Sequence, residues 1–131
     1  MAQPITISTK QFIKTKEAEI DGYVYTVRRM GAGTSLDMSK NMSELQRLRT
    51  DFLNLQAKMK VEGNQKRQEV LLGDMHELSE KLNRIIGEIE TSYASLFDDH
   101  QDGSIALKMI HSVGFENVPA ILEQIFGESD A

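Results

Sequence analysis

Residues 13–27 read Ile-Lys-Thr-Lys-Glu-Ala-Glu-Ile-Asp-Gly-Tyr-Val-Tyr-Thr-Val. At the centre of this stretch, Asp21-Gly22 accepts positive φ at both central positions of a type I′ turn, which predicts a β-hairpin. The pairs that follow from a two-residue turn are Ile20 with Tyr23, Ala18 with Tyr25 and Lys16 with Val27. This register gathers apolar side chains on one face of the hairpin. Because an isolated hairpin is marginally stable, helices are expected to cover that face.

The chain after the hairpin has the periodicity of helices. Gly31-Ala32-Gly33 is expected to end the second strand, and Thr34 or Ser35 to cap the next helix, with Asp37 in its first turn. Apolar residues then recur at spacings of three and four, which predicts an amphipathic helix of about six turns. They are Met38, Met42, Leu45, Leu48, Phe52, Leu55 and Met59.

Gly63-Asn64 interrupts this pattern, and a second stripe follows at a spacing close to seven residues. Its members are Leu71, Met75, Leu78, Leu82, Ile85, Ile89 and Leu96, and it is widened by Leu72 and Tyr93. Two long helices joined by a short break predict an antiparallel helical hairpin. Beyond a turn cluster at 98–103, two short helices are expected at 104–113 and about 119–126. Gly114 ends the first of them, and Pro119 suits the first turn of the second.

The predicted fold class is therefore α+β and mainly α: an N-terminal β-hairpin, a long antiparallel helical hairpin and two short C-terminal helices. With 131 residues, the chain is expected to form a single domain. Within it, residues 1–33 form the β-hairpin region and residues 34–97 the helical hairpin. Residues 98–127 form the short C-terminal helices, and residues 128–131 a frayed tail.

The composition argues against several classes of function. Fifteen basic and twenty acidic side chains give a formal net charge of -5, which disfavours binding to nucleic acid. The basic residues between Arg47 and Arg67 alternate with acidic ones and form no clear stripe. The chain has no cysteine and no stretch apolar enough for a transmembrane helix. Its first five residues lack the basic flank and apolar run of a signal peptide, so none is expected. A cytosolic protein that binds neither nucleic acid nor membranes is expected.

No arrangement of residues predicts catalysis, a cofactor or a metal ion. Gly31-Ala32-Gly33 lacks the third glycine of a dinucleotide fingerprint and the lysine of a P-loop, so a plain turn is favoured. Asp98, His100 and Asp102 imitate half of a calcium loop, but Met109 stands where a bidentate Glu is needed. The three histidines lack the spacing of zinc ligands, and no Ser or Thr has a suitably spaced His and Asp. We therefore expect that the protein is not an enzyme.

The amount of apolar surface predicts a binding protein. For a chain of this length, four apolar helical stripes, one half-apolar hairpin and seven Met amount to a large apolar surface. Flexible Met side chains repack around varied apolar segments, which suits a chaperone-like surface. The residues expected in core or partner contact are Met38, Met42, Leu45, Phe52, Leu78, Leu82 and Ile89.

The stretch from Phe12 to Thr34 resembles the start of tail assembly chaperones from long-tailed phages and prophages of Gram-positive bacteria. Those proteins open with a charged strand, a turn, a strand ending in Val-Arg-x-Leu, and a small-residue turn into a helix. Here Val27-Arg28-Arg29-Met30 stands at that place, with Met in place of the usual Leu. Near the far end, Leu96-Phe97-Asp98-Asp99 precedes two short helices, as it often does in that group. Residues 36–95 are similar only in helical character.

The resemblance implies a non-virion protein in the cytoplasm of the infected bacterial host. It implies that the chain binds the tape measure protein, keeps its apolar helices soluble, and helps to recruit the tail tube protein during tail morphogenesis. It also implies self-association and, as a further partner, a longer form of the chain made by ribosomal frameshifting. Recognition would be of the helix-in-groove kind.

Two other functions fit the residues. In the first, the chain is a structural adaptor of a virion or secretion system whose heptad-like helix at 66–97 forms a permanent oligomer. In the second, it is a regulator that binds nucleic acid through the mixed-charge helical hairpin, and this binding would weaken as salt rises.

Overall fold

The computed structural model describes residues 3–7 and 15–127. The fold class is the predicted one, with an antiparallel β-hairpin, two long helices that form a hairpin, and short C-terminal helices. Of the described residues, 69% are helical, so the protein is mainly α. The elements are β1 (Thr15–Ile20), β2 (Tyr23–Arg28), α1 (Ala32–Val61), α2 (Gln65–Ala94), β3 (Phe97–Asp98), α3 (Ser104–Val113), a 3-10 turn (Phe115–Asn117) and α4 (Val118–Phe126). The expected frayed tail, 128–131, lies outside the described residues.

The turn of the β-hairpin has the predicted geometry, because Asp21 and Gly22 have φ of 52° and 87°. The three predicted pairs between β1 and β2 are all present. Tyr25 and Val27 on the predicted inner face are buried, and the opposite face is mostly exposed. Residues 13 and 14, the predicted start of the first strand, lie outside the described residues.

Gly22→Ala is expected to lower the free energy of unfolding by about 1 kcal/mol, because an L side chain disfavours positive φ. A Cβ at Gly22 would meet no atom within 4 Å, so the loss reports on the backbone alone. Gly73→Ala is the matched control: Gly73 lies inside α2 with equally open space, and Ala there should stabilise the helix by about 1 kcal/mol. Urea unfolding of both variants measures the two effects. Stabilisation by Gly22→Ala would contradict the turn geometry.

The described residues form two compact units. The first consists of the chain up to Gly31 together with the chain from Tyr93 onward, and the second is Ala32–Ser92. This division concerns packing within each unit, and the single-domain prediction stays a prediction.

The first unit contains a three-stranded sheet in the order β1-β2-β3. β3 pairs antiparallel with β2, with Thr26 opposite Asp98 and Val27 opposite Phe97. The N–H of Arg28 donates to the carbonyl of Leu96 at 2.9 Å, which continues the pairing. β3 was not predicted from the sequence, because two residues are too few to show an alternating pattern.

The core of the first unit is formed by the sheet and the short helices. Tyr25 meets Phe97 edge-on, with ring centres 6.1 Å apart. The guanidinium of Arg29 lies 5.1 Å from the centre of the Phe126 ring, a cation–π contact of about 0.5–1 kcal/mol at exposed sites. The buried apolar residues of this unit are Tyr25, Val27, Tyr93, Leu96, Phe97, Ala106, Met109, Ile110, Phe115, Val118 and Phe126.

One carboxylate organises the loop between β3 and α3. Asp99 is only 8% exposed. Its Oδ1 accepts bonds from the N–H groups of Gln101 and Gly103 at 2.9 and 3.2 Å, and its Oδ2 accepts from Ile105 and Ala106 at 3.0 and 3.1 Å. Burial by itself raises the pKa of Asp99, but the four backbone bonds outweigh it and hold the pKa below its ordinary value. The ionised carboxylate therefore fixes the start of α3.

The short C-terminal helices follow the prediction closely. α3 covers the predicted residues, and Gly114 ends it with φ 86° while its N–H donates to the carbonyl of Ile110 at 3.0 Å. α4 begins at Val118, one residue earlier than predicted, with Pro119 in its first turn.

The start of α1 differs from the prediction. α1 begins at Ala32, so the prediction that Thr34 or Ser35 caps it is wrong, and Asp37 lies beyond the first turn. Ala32 and Gly33 are small enough to adopt helical backbone angles freely. The N–H groups of a first helical turn have no intrahelical partner in any case, so the helix can start before the expected cap.

The second unit is the helical hairpin of α1 and α2. Residues 62–64 connect the helices, and Asn64 caps α2 because its Oδ1 accepts the N–H of Arg67 at 3.2 Å. Asp37 and Thr91 line one hollow, and Val61 and Val70 line another. The start of α1 therefore lies beside the end of α2, which is the predicted antiparallel arrangement.

Candidate partner-binding surface

Burial changes along the helical hairpin. From Met38 to the middle of α1, and near the end of α2, the stripes are buried at Met38, Leu45, Leu48 and Ile89. From Thr50 to Leu78, by contrast, not one residue is buried. We call residues 50–78 the distal part. Two helices alone can cover only one side of each apolar stripe, which accounts for stripes that stay accessible within the described residues of the distal part.

The distal part carries many large apolar side chains. Six are half-buried: Phe52, Leu55, Met59, Leu71, Met75 and Leu78. Four more are over half exposed, namely Leu53 at 62%, Val61 at 86%, Val70 at 64% and Leu72 at 54%. Only one other large apolar residue of the second unit, Leu36, is as exposed. The accessible apolar surface of this unit is therefore concentrated in its distal part.

The seven residues expected in core or partner contact divide into two groups. Met38, Leu45 and Ile89 are buried and serve as core. The half-buried ones are Met42, Phe52, Leu78 and Leu82. Of these seven, Phe52 and Leu78 belong to the distal part, and their contact with a partner stays a prediction.

Val61 and Val70, the two most exposed large apolar residues of the second unit, were not singled out from the sequence. They flank the connecting loop and lie outside the main stripes at 38–59 and 71–96. The signal that could have found them is the loop itself, because β-branched residues on both sides of a polar Gly-Asn turn have no helix neighbour to cover them.

Val61 and Val70 line a hollow of about 430 Å³ at the tip of the helical hairpin. We call its lining residues the tip site; they are Lys58, Val61, Glu62, Lys66, Arg67, Val70 and Leu71. The loop beneath is held by the N–H of Asn64, which donates to Glu62 Oε1 at 2.9 Å, and by Gln68 Nε2, which donates to the Glu62 carbonyl at 2.5 Å. The tip site is thus an apolar surface on a hydrogen-bonded turn.

A second hollow of the helical hairpin, of about 720 Å³, is polar. Its charged lining residues are Asp37, Lys40, Arg84 and Glu88. Two cations and two anions balance each other there, and no large apolar side chain lines it. It offers little to an apolar partner.

The first unit brings together a hydroxyl, an imidazole and a carboxylate that sequence reasoning did not connect. Thr26 Oγ1 lies 3.0 Å from His100 Nε2, and His100 Nδ1 lies 3.8 Å from Asp98 Oδ2. Their proximity follows from the pairing of Thr26 with Asp98 between β2 and β3. The second distance is too long for the hydrogen bond that orients a catalytic histidine.

The arrangement of Thr26, His100 and Asp98 fits stabilisation of the loop better than it fits a catalytic site. His100 has φ 62°, and its N–H donates to Asp98 Oδ1 at 2.9 Å, so the carboxylate stabilises a turn. Asp102 does the same for the N–H of Ser104 at 3.0 Å. The carboxylates that imitate a calcium loop are thus occupied by backbone N–H groups. Among the described residues, no group of three or more His, Cys, Asp or Glu is placed to hold a metal ion.

None of the helices in the described part of the chain is both long enough and apolar enough to cross a membrane. Comparisons with protein-family models, with curated proteins and with solved structures gave no match to this chain.

Proposed function

We propose that this protein is a tail assembly chaperone of a long-tailed phage or prophage from Gram-positive bacteria. In this proposal it binds the tape measure protein in the bacterial cytoplasm, keeps that long helical protein soluble and helps to recruit tail tube protein. It acts as a binding protein rather than an enzyme and leaves before the virion is complete.

The observation that carries the proposal is the distal part of the helical hairpin. Ten large apolar side chains from Thr50 to Leu78 are half-buried or exposed. They lie on two helices of 30 residues each. The sequence resemblance at residues 12–34 and 96–103 supports the phage assignment, which the distal part alone does not.

The distal part suits a helical client for a geometric reason. In this proposal the half-buried residues of α1 and α2 form the two walls of a seam, along which an apolar stripe of a third helix packs. Each Leu or Val that becomes fully covered contributes about 1.5–3 kcal/mol, so a few contacts suffice for reversible binding. Met59 and Met75 allow the seam to adapt to stripes of different shape.

Co-expression with the large helix-rich product of the neighbouring gene tests the proposal. We expect that product to remain in the supernatant after centrifugation when this chain is present and to sediment when it is absent. An unrelated helical protein of similar size, expressed at the same level, is the control. If the large product is equally soluble with and without this chain, the chaperone function is wrong.

A second candidate function is a structural adaptor of a virion or secretion system. The near-heptad spacing of the α2 stripe favours it, because such a stripe can form a permanent coiled coil with other copies. Mass spectrometry of purified particles separates the two functions: a stoichiometric amount of the chain favours the adaptor, and its absence favours the chaperone.

A further inference from the structure

The rim of the tip site is basic in an otherwise acidic protein. Residues 56–72 contain four of the fifteen basic side chains and two of the twenty acidic ones, which gives this segment a net charge of +2 and the rest of the chain -7. Lys58, Lys66 and Arg67 lie around Val61 and Val70, and Glu62 is the only acidic residue of the tip site. The tip site therefore combines an apolar surface with a cationic border.

These cations have no partner within the part of the chain that the structure describes. Among residues 3–7 and 15–127, the side-chain nitrogens of Lys58, Lys66 and Arg67 take part in no ion pair and no hydrogen bond. Elsewhere on the same helices some surface charges are paired, as when Arg47 binds both Glu44 and Asp51 on α1. The three exposed cations of the rim are therefore available to a partner.

Two of the cations also occupy an unfavourable position for helix stability. Lys66 and Arg67 lie in the first turn of α2, which contains no acidic residue. The N-terminal end of a helix carries partial positive charge and favours anions over cations. Helix stability does not account for these two residues, whereas an anionic partner would relieve the repulsion.

We propose that the tip site binds an amphipathic helix that carries acidic residues along both borders of an apolar stripe. The stripe packs on Val61, Val70 and Leu71, and the acidic borders meet Lys58, Lys66 and Arg67. The inference rests on the proposed function for the natural source of that helix, a client protein kept soluble by this chain.

The chemistry of the tip site favours this occupant over two others. Nucleic acid needs cations but not an apolar floor of two valines that are 86% and 64% exposed. A second copy that docked tip to tip would bring two sets of unpaired cations together, which opposes association. An acidic amphipathic helix satisfies both the apolar floor and the cationic rim.

Fluorescence anisotropy with a labelled synthetic helix of about 20 residues tests the proposal, since shorter helices are marginal in water. One peptide has leucine at every third or fourth position with glutamate on both borders, and its twin has lysine in place of glutamate. We expect the acidic peptide to bind the full chain and the basic twin to bind at least about tenfold more weakly. Equal binding of the two peptides would overturn the proposal.

Charge reversal at the rim locates the site. Lys66→Glu with Arg67→Glu should weaken binding of the acidic peptide at least about tenfold, and the neutral pair Lys66→Gln with Arg67→Gln should weaken it less. The matched control is Lys40→Glu with Lys81→Glu, which changes the net charge equally at exposed positions outside the tip site. If the control pair weakens binding as much as the tip pair, the acidic helix is bound by overall charge and the proposal is wrong.

Three further readouts decide between occupants. Val61→Gln with Val70→Gln should also weaken binding of the acidic peptide. An unchanged affinity would contradict the proposal that the apolar stripe packs on these valines. Tighter binding of single-stranded DNA than of the acidic peptide would overturn it in favour of nucleic acid. Sedimentation velocity tests whether a second copy of the chain occupies the tip site. Self-association that is abolished by Lys66→Glu with Arg67→Glu would overturn the proposal in favour of a second copy.

The tip site and the chaperone function can fail separately. If the charge-reversed variant and the original chain keep a large client equally soluble, the proposed role of the tip site is contradicted and the chaperone function is not. An acidic peptide that binds at the tip site while no client is kept soluble supports the tip site and contradicts the chaperone function.

Discussion

Leu48→Ala is expected to lower the free energy of unfolding by about 2–4 kcal/mol, whereas Leu53→Ala should lower it by less than about 0.5 kcal/mol. Both residues lie in α1, and both substitutions change helix propensity equally. Leu48 is 2% exposed, so its removal leaves a cavity that the surroundings fill only in part. Leu53 is mostly exposed and loses little by truncation. Urea unfolding of the two variants measures the difference.

The two variants Leu48→Ala and Leu53→Ala test the change of burial along the helical hairpin, and the test needs no partner protein. Equal losses for Leu48→Ala and Leu53→Ala would mean that the distal part is covered in solution, for example by another copy of the chain. Repeating the measurement at a tenfold lower protein concentration checks that case, because stability that comes from self-association depends on concentration.

Asp99→Ala is expected to lower Tm by about 5–15 °C. The substitution removes the acceptor of four backbone N–H groups at once, two of them at the start of α3. A buried donor that loses its partner retains its full desolvation cost. Asp99→Asn is the matched variant, because it keeps the shape and one acceptor oxygen, and it should fall between Ala and the original protein. A Tm for Asp99→Ala within 1 °C of the original would show that the loop does not need its carboxylate.

The same carboxylate predicts a pH dependence. The folded-state pKa of Asp99 lies below its ordinary value of 3.8, so its contribution is fully present above about pH 4 and is lost as pH falls through the folded-state value. Between pH 5 and pH 2 the original protein should therefore lose more stability than Asp99→Asn. Thermal unfolding monitored by circular dichroism at several pH values measures this. Parallel losses in both proteins would contradict the lowered pKa.

Local sequence signals predicted much of the fold. The register of the β-hairpin depends on two turn residues, Asp21 and Gly22, and was confirmed pair by pair. The ends of α3 depend on residues at its borders and were also predicted. These features are set by backbone preferences within a few positions of the chain.

The features that were missed depend on residues far apart in sequence. β3 exists because Phe97 meets Val27 across 70 positions, and no local pattern marks it. The apolar stripes were predicted, but a stripe alone does not say what covers it. Leu45 and Phe52 belong to the same stripe, yet one is buried and the other half exposed. The tip site likewise needs the hairpin geometry, which places Lys58 beside Arg67 and Val70.

Solubility of the large co-expressed client with a distal-part variant tests the central claim most directly. The variant replaces the four most exposed large apolar residues of the distal part by glutamine, which retains helix propensity: Leu53→Gln, Val61→Gln, Val70→Gln and Leu72→Gln. The control replaces two exposed leucines elsewhere, Leu36→Gln and Leu107→Gln. With both variants folded by circular dichroism, we expect the client to sediment with the first and to stay soluble with the second. A client that remains equally soluble with both would contradict the claim that the distal part binds it.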